Sequence, residues 1–246
     1  DDATEMLEKF LAAAANAARV RVVALEPLSG GAVQDNRRLM AEIEGGPFAG
    51  KLDAVLRMNA PSRLPASHDR AAEFAILKCA HRAGVKAPAP LWLCADASVL
   101  GRPFFVMRYV EGEAFGHRLV KEAAERGFGE CLAAELGAEL ARIHAIPAAQ
   151  PGLSFLAAPD LAPALALVSA YRDFLDDLAD PAVAVEWGLA WLERNAPPRG
   201  ALAFCHRDFR TGNFLVGPEG LGDPWAMALF RGEDGRARAL AARCPH

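Results

Sequence analysis

The sequence predicts an α+β protein in two lobes, because its strand-like segments cluster early and its helix-like segments late. With 246 residues, 52% of them apolar, the chain is long enough to bury a substantial core. We expect a small β-rich N-terminal lobe over residues 1–110 and a larger, mainly helical C-terminal lobe over residues 111–246.

The predicted N-terminal lobe begins with a helix over residues 3–18, where apolar residues recur at helical spacing. A strand over residues 20–25 and a glycine-rich turn over residues 27–34 follow. Apolar residues then alternate around residues 39–43 and again around residues 55–57, which indicates two more strands. A strand, a glycine-rich turn and a second strand together predict a β-hairpin.

After this hairpin, the chain is predicted to contain one helix, two strands and then only helices. A helix is predicted over residues 67–83, with Ala71, Phe74, Ala75, Leu77 and Cys79 facing a core and Gly84 as its end. Two strand candidates follow, over residues 91–94 and 103–110. The remaining predicted elements are all helices, over residues 119–126, 129–146, 162–178 and 183–195.

Composition and charge argue against several classes of partner. The formal net charge is −4 with the two signs interspersed, so we expect no binding to nucleic acid. No stretch of about eighteen apolar residues is present, and charged residues interrupt the alanine-rich start, so we expect neither a membrane span nor a signal peptide. Five cysteines lack paired spacing, which suits a reducing compartment. We therefore expect a cytoplasmic protein.

The strongest chemical signal lies in residues 205–216, which carry polar residues between two apolar flanks. Asp208 and Asn213 have the spacing Asp-x-x-x-x-Asn. Phosphoryl transfer uses such a pair, with a carboxylate beside the acceptor hydroxyl and an amide oxygen on Mg²⁺. An Asx-type turn is the plainer structural alternative.

Two further features of the predicted N-terminal lobe suit nucleotide binding. Arg57 lies in the middle of an apolar strand, where an inward charge needs a reason. Glycines in the predicted hairpin turn allow backbone amides to approach phosphates closely. The turn residues concerned are Ser29, Gly30, Gly31 and Ala32. Alternatively, Arg57 is a surface residue of an edge strand and the turn is an ordinary tight turn.

In their order along the chain, these motifs resemble the aminoglycoside phosphotransferase family of the protein-kinase-like superfamily. The loop Cys205-His206-Arg207-Asp208 resembles its catalytic loop, and Phe104-Phe-Val-Met-Arg-Tyr-Val-Glu-Gly112 resembles its hinge strand. Val55-Leu56-Arg57 is similar to the branch that includes kinase domains associated with acyl-CoA dehydrogenases. Arg207 gives the loop the His-Arg-Asp sequence of protein kinases. The Asp-Phe-Gly and Ala-Pro-Glu segments of protein kinases are absent, however, which disfavours a protein substrate.

The resemblance implies a bilobal protein-kinase-like fold and Mg²⁺-dependent transfer of the γ-phosphoryl group of ATP to a hydroxyl of a small molecule. It implies that Asp208 is the catalytic base, that His206 braces the loop and that Asn213 binds the metal. Arg57, steadied by Glu73, would bind phosphates. The hinge residues Met107, Arg108, Tyr109 and Val110 would contact the adenine. His144, in a Leu-Ala-x-x-His segment, is interpreted as structural.

One expected element is not found. Relatives carry a second metal-binding Asp about ten residues after the Asn, whereas here Leu221 runs directly into Gly222-Asp223-Pro224. Three explanations compete: internal residues are omitted from the sequence, the chain is shortened, or the protein is a pseudokinase that binds nucleotide without turnover. The first explanation is favoured because Leu221-Gly222 joins two family segments. As the acceptor, the resemblance is compatible with an aminoglycoside, an acyl-CoA-like compound or another hydroxylated metabolite.

Overall fold

The computed structural model describes residues 2–28, 34–59, 69–147, 149–156, 162–178, 182–198, 200, 202–206 and 208–217. These residues form five strands and six helices, which confirms the predicted α+β class. The strands are β1 (Arg19–Pro27), β2 (Gln34–Glu44), β3 (Gly50–Asn59), β4 (Pro90–Cys94) and β5 (Phe104–Arg108). The helices are α1 (Asp2–Ala14), α2 (Arg70–Arg82), α3 (Gly116–Arg126), α4 (Gly129–His144), α5 (Pro163–Asp176) and α6 (Val183–Arg194).

The five strands form one antiparallel sheet in the order β1-β2-β3-β5-β4. β1 and β2 pair directly, as the predicted hairpin requires. The predicted glycine turn, with Ser29, Gly30, Gly31 and Ala32, lies outside the described residues. Among the described residues on either side of it, the Leu28 backbone amide donates to the Asn36 carbonyl at 2.8 Å.

Alternation along β3 divides the sheet into two faces, since successive side chains of a strand point to opposite sides. Leu52, Ala54 and Leu56 belong to the main apolar core, which also includes Leu7 and Leu11 of α1. The opposite face carries a smaller cluster that contains residues of β3, β5 and α2. Its buried members are Val55, Leu77, Phe105 and Met107. Arg57 lies on this second face, two residues beyond Val55.

Helix α2 differs from the sequence prediction in the residues that it buries. Asp69 caps its start, with a side-chain oxygen that accepts from the Ala72 amide at 2.7 Å. The buried residues are Arg70, Glu73, Leu77 and Ala80. Of the residues predicted to face a core, Leu77 does so, whereas Ala71 is exposed and Phe74, Ala75 and Cys79 are only partly buried. An ion pair replaces apolar contact in the first turn.

The described residues group into two compact units. One comprises residues 2–142 together with 206–217, and the other comprises residues 143–205. The predicted division into lobes at residues 110 and 111 stays a prediction. Within the second unit, Arg172 of α5 contacts Glu186 and Glu193 of α6, each at 2.9 Å. Across the described ranges, the helices are all too short or too polar to span a bilayer.

Candidate active site

A buried group of ion pairs lies between β3 and α2. Nη2 of Arg57 is 2.8 Å from Oε1 of Glu73, and Nη1 of Arg70 is 2.7 Å from Oε2 of the same carboxylate. Nη1 of Arg57 also donates to Oδ1 of Asn36 on β2 at 3.3 Å. The Arg57 side chain is only 2% exposed and that of Arg70 is fully buried. Glu73 therefore fixes Arg57 from one side while Asn36 fixes it from another.

Arg57 is thus a buried residue with an acidic partner rather than a surface residue of an edge strand. β3 is an internal strand, paired with β2 and β5. Sequence patterns did not indicate Arg70 as a member of this group. Its signal in the sequence is the spacing Arg70-x-x-Glu73, which places the two side chains on one helix face. That spacing is common on solvated helices, so it does not predict burial.

Asp208 and Asn213 lie in direct contact within one loop. Nδ2 of Asn213 donates to Oδ2 of Asp208 at 2.6 Å and to the Asp208 carbonyl at 2.8 Å. Nε of Arg210 donates to the other carboxylate oxygen, Oδ1, at 2.9 Å. Gly212 has φ of +97°, a value that L-residues rarely adopt, and it precedes Asn213 in this turn. The loop geometry thereby brings a carboxylate and an amide to one place.

His206 supports the start of this loop from a largely buried position. The Asp208 backbone amide donates to Nδ1 of His206 at 3.4 Å, and the Phe209 ring packs edge-on against the imidazole at 5.5 Å. Burial lowers the pKa of His206, and the nearby Asp208 carboxylate opposes this effect only in part. A neutral imidazole with Nδ1 as acceptor suits a bracing residue better than a proton carrier. Arg207 lies outside the described residues.

The end of the loop is joined to the segment that follows the hinge strand. Glu113 and Val216 form an isolated antiparallel bridge, with N–H···O distances of 2.8 and 3.0 Å. Gly112 makes this approach possible, since a Cβ there would stand 2.9 Å from both the Leu215 Cβ and the Val216 carbonyl oxygen. The glycine of the hinge motif is therefore explained by backbone packing.

The predicted hinge residues differ in their burial and in the partners of their backbone amides. Met107 is buried on the same sheet face as Arg57. The Arg108 amide donates to the Ala89 carbonyl at 2.9 Å, and the Tyr109 amide donates to the Asp53 carbonyl at 3.2 Å. These two N–H groups are already used by the protein. A base beside this segment would need other groups for recognition, and Val110 is partly buried at its end.

Next to the hinge lies an unanticipated cluster, formed by Arg38, Asp53 and Tyr109. Arg38 makes two hydrogen bonds to the Asp53 carboxylate, at 3.0 Å from Nε and 2.7 Å from Nη2. Its guanidinium carbon stands 4.0 Å from the centroid of the Tyr109 ring. The sequence alone offers no signal for this cluster, because separate segments of the sheet and their register bring its members together.

The metal-binding capacity of the described residues is small. Asn213 donates to the Asp208 carboxylate through Nδ2, so its amide oxygen is the atom that could bind a metal, and no group of three His, Cys, Asp or Glu side chains suited to a metal occurs in the described ranges. Mg²⁺ commonly takes only one or two protein ligands, with waters and substrate phosphates as the others. A single ligand from Asn213 is compatible with that mode. Asp223 lies outside the described residues.

Comparison with known proteins identifies the class. The sequence profile of the phosphotransferase enzyme family, APH, matches residues 24–230. The chain belongs to this family. It is 28% identical to mouse acyl-CoA dehydrogenase family member 10 over 68% of the chain, and 32% identical to chicken acyl-CoA dehydrogenase family member 11 over 63%. It spans only 17% and 20% of the lengths of those two proteins.

Solved structures agree in fold. A crystal structure assigned as a candidate aminoglycoside phosphotransferase from Ralstonia eutropha superposes with a TM-score of 0.64 at 19% identity. That comparison covers 92% of this chain and 63% of the other. The GDP complex of wild-type aminoglycoside 2'-phosphotransferase-IIIa gives a TM-score of 0.52 at 20% identity, covering 88% and 68%. The fold is therefore kinase-like, as the resemblance implied.

Proposed function

We propose that this chain binds ATP and Mg²⁺ and transfers the γ-phosphoryl group to a hydroxyl of a small molecule. The observation that carries the proposal is the contact between Asp208 and Asn213, at 2.6 Å in one glycine-containing loop. Membership of a phosphotransferase family supports the same reaction class. The buried Arg57–Glu73 pair supplies a preorganised cation for phosphate oxygens.

In the proposed reaction, the acceptor hydroxyl oxygen forms a bond to the γ-phosphorus, and the bond from that phosphorus to the β–γ bridging oxygen breaks. ADP leaves with the electron pair of the broken bond. The hydroxyl proton passes to the Asp208 carboxylate, which Arg210 and Asn213 hold in orientation. Arg57 contacts the phosphate oxygens, and Glu73 prevents its guanidinium from turning away.

Mg²⁺, when bound, would neutralise charge on the transferred phosphoryl group. Asn213 is the residue proposed to hold it, together with nucleotide phosphates. The hinge segment with Met107, Arg108, Tyr109 and Val110 is proposed to border the base, and the turn with Ser29, Gly30, Gly31 and Ala32 to cover the phosphates. The proposed site of action is the cytoplasm, with neither nucleic acid nor membrane as partner.

The acceptor is proposed to be a hydroxylated metabolite. Three acidic residues that cluster near the end of α5, Asp173, Asp176 and Asp177, are exposed. They therefore form a solvated face and supply no argument for a polycationic aminoglycoside. A hydroxyacyl thioester is included among the acceptors to be tested, because the curated relatives are acyl-CoA dehydrogenase family members.

The test is ADP release from ATP and Mg²⁺ in the presence of a panel of hydroxylated compounds. We expect Asp208→Asn to reduce acceptor-dependent release by about 10²- to 10⁴-fold, the usual loss on removing a general base. Asp173→Asn, an exposed change in the second unit, serves as the matched control and should leave the rate unchanged. Equal rates in the unmodified chain and Asp208→Asn would overturn the proposal.

A pseudokinase is the second candidate, and a specific observation favours it. The described residues hold no three-residue metal cluster, and the sequence lacks the second metal-binding Asp that the family resemblance implies. Thermal unfolding with ATP separates the two candidates, because a ligand that binds only the folded state raises the Tm. A rise in Tm that is independent of Mg²⁺, without turnover, would support the pseudokinase.

A further inference from the structure

The Arg38–Asp53–Tyr109 cluster shares the sheet face that carries Arg57. Arg38 pairs across the strands with Val55, and Asn36 pairs with Arg57, so these four side chains point to one side. Asn36 also accepts a hydrogen bond from Arg57. Arg38 therefore lies two residues from Asn36 along β2, a distance of about 7 Å along the strand. Asn36 is the cross-strand partner of Arg57, the proposed phosphate contact.

The cluster lies toward the hinge end of this face. Val55 pairs with Met107 on β5, and Tyr109 follows that strand. The Tyr109 amide donates to the carbonyl of Asp53, whose carboxylate binds Arg38. A nucleotide with its phosphates at Arg57 and its base at the hinge would pass directly beside Arg38.

The Arg38 side chain is held in a defined orientation. Asp53 binds the edge of its guanidinium through two hydrogen bonds, and the Tyr109 ring covers one of its faces. Its side chain nevertheless stays 35% exposed. A planar guanidinium fixed at its edge and on one face can stack a base on its second face.

We propose that Arg38 is the base-stacking residue of this chain, held flat by Asp53 and Tyr109 beside the hinge. This inference rests on the proposed function, since it assumes that a nucleotide binds at Arg57. Stacking uses the π-face, which adenine and guanine both offer, so the contact strengthens binding of either purine. The stacking contact therefore raises the affinity for a purine nucleotide but not the affinity for a phosphate chain without a base.

The test compares ATP, GTP and inorganic tripolyphosphate, each with Mg²⁺, by isothermal titration calorimetry. We expect Arg38→Ala to weaken ATP and GTP by about five- to thirtyfold, to a similar extent for each, the range expected for loss of one cation–π contact. Tripolyphosphate affinity should change by less than about twofold. Arg38→Lys keeps the charge but loses the planar fork, so it should behave like Arg38→Ala.

Arg37→Ala is the matched control. Arg37 is the neighbouring arginine of β2, points to the other sheet face and pairs with Asp35. It should bind all three ligands as the unmodified chain does. If Arg38→Ala lost tripolyphosphate binding to the same extent as ATP binding, Arg38 would be a general contact for phosphates. If Arg38→Ala bound ATP as well as or more tightly than the unmodified chain, Arg38 would not contribute to nucleotide binding. Each result overturns the inference. Failure of the unmodified chain to bind nucleotide would overturn the proposed function as well.

Discussion

Glu73 holds Arg57 in place, with Oε1 2.8 Å from Nη2 in a setting where both side chains are almost fully buried. The same carboxylate binds Arg70 through its other oxygen. A single helix residue thereby ties β3 to α2 and orients the cation proposed to meet the phosphates. The contact therefore contributes both to the stability of the fold and to the geometry of the candidate site.

Glu73→Ala should lower the free energy of unfolding by about 3–5 kcal/mol, because it removes the shared partner of two buried guanidiniums. Chemical denaturation followed by circular dichroism measures the change. Glu122→Ala is the control, since Glu122 forms an exposed pair with Arg126 whose loss should cost less than about 1 kcal/mol. Similar losses in the two variants would contradict the energetic importance of the buried group.

Asn213→Ala should raise the Mg²⁺ concentration needed for half-maximal ADP release by about 10- to 100-fold. The variant loses the proposed metal ligand and the hydrogen bond that orients Asp208. Titration of Mg²⁺ at fixed ATP gives the measurement. Asn195→Ala, at the exposed end of α6, should leave the metal dependence unchanged. The proposed metal role fails if Asn213→Ala shows the same Mg²⁺ dependence as the unmodified chain.

Stability should fall in mild acid because of His206. Burial lowers the pKa of His206 below its ordinary value of 6.5 in the folded chain. As the pH decreases through about 6.5, the unfolded chain therefore takes up a proton first, and the free energy of unfolding decreases. Above this range the imidazole is neutral in both states and contributes no pH dependence.

Urea unfolding between about pH 5 and pH 8 measures this effect. His206→Gln should flatten the acid side of the profile relative to the unmodified chain, whereas His117→Gln, an exposed change, should not. Identical profiles for the unmodified chain and His206→Gln would show that the imidazole is not buried in neutral form.

Gly112→Ala should destabilise the chain by about 1–3 kcal/mol, because the added Cβ would lie 2.9 Å from a backbone oxygen that is fixed in the bridge between Glu113 and Val216. Gly137→Ala is the matched control. It lies within α4, where a Cβ meets nothing within 4 Å, so the change should stabilise the helix by about 0.5–1 kcal/mol. Thermal unfolding of both variants provides the comparison. Equal Tm values would refute the close approach.

Several parts of the site were predictable because they depend on local chemistry. A charge in the middle of an apolar strand requires a reason, and the order of the motifs along the chain, which resembles that of the family, indicated Glu73 as the partner of Arg57. The Asp-x-x-x-x-Asn spacing places two side chains in one turn, and Asp208 and Asn213 are indeed in contact. The roles proposed for them in catalysis and metal binding stay predictions.

Other features could not be predicted. The periodicity of α2 shows which residues share a face, but not that the first turn of that face meets Arg57 rather than an apolar surface. Helical spacing therefore favoured Ala71 and Phe74, whereas Arg70 and Glu73 are buried. Likewise, the hinge-like sequence motif indicates the end of a strand. It does not indicate that the amides of Arg108 and Tyr109 already donate to protein carbonyls.

By itself, the sequence determined the order and type of the elements, the hairpin and the close spacing of Asp208 and Asn213, because these depend on contacts between near neighbours. The Arg57–Glu73 pair was indicated only together with the family resemblance. Only the tertiary structure decided the burial of Arg70, the approach of Gly112 to Val216 and the Arg38–Asp53–Tyr109 cluster. These depend on strand register and on which element covers which face, and such long-range packing leaves no periodic signal in the chain.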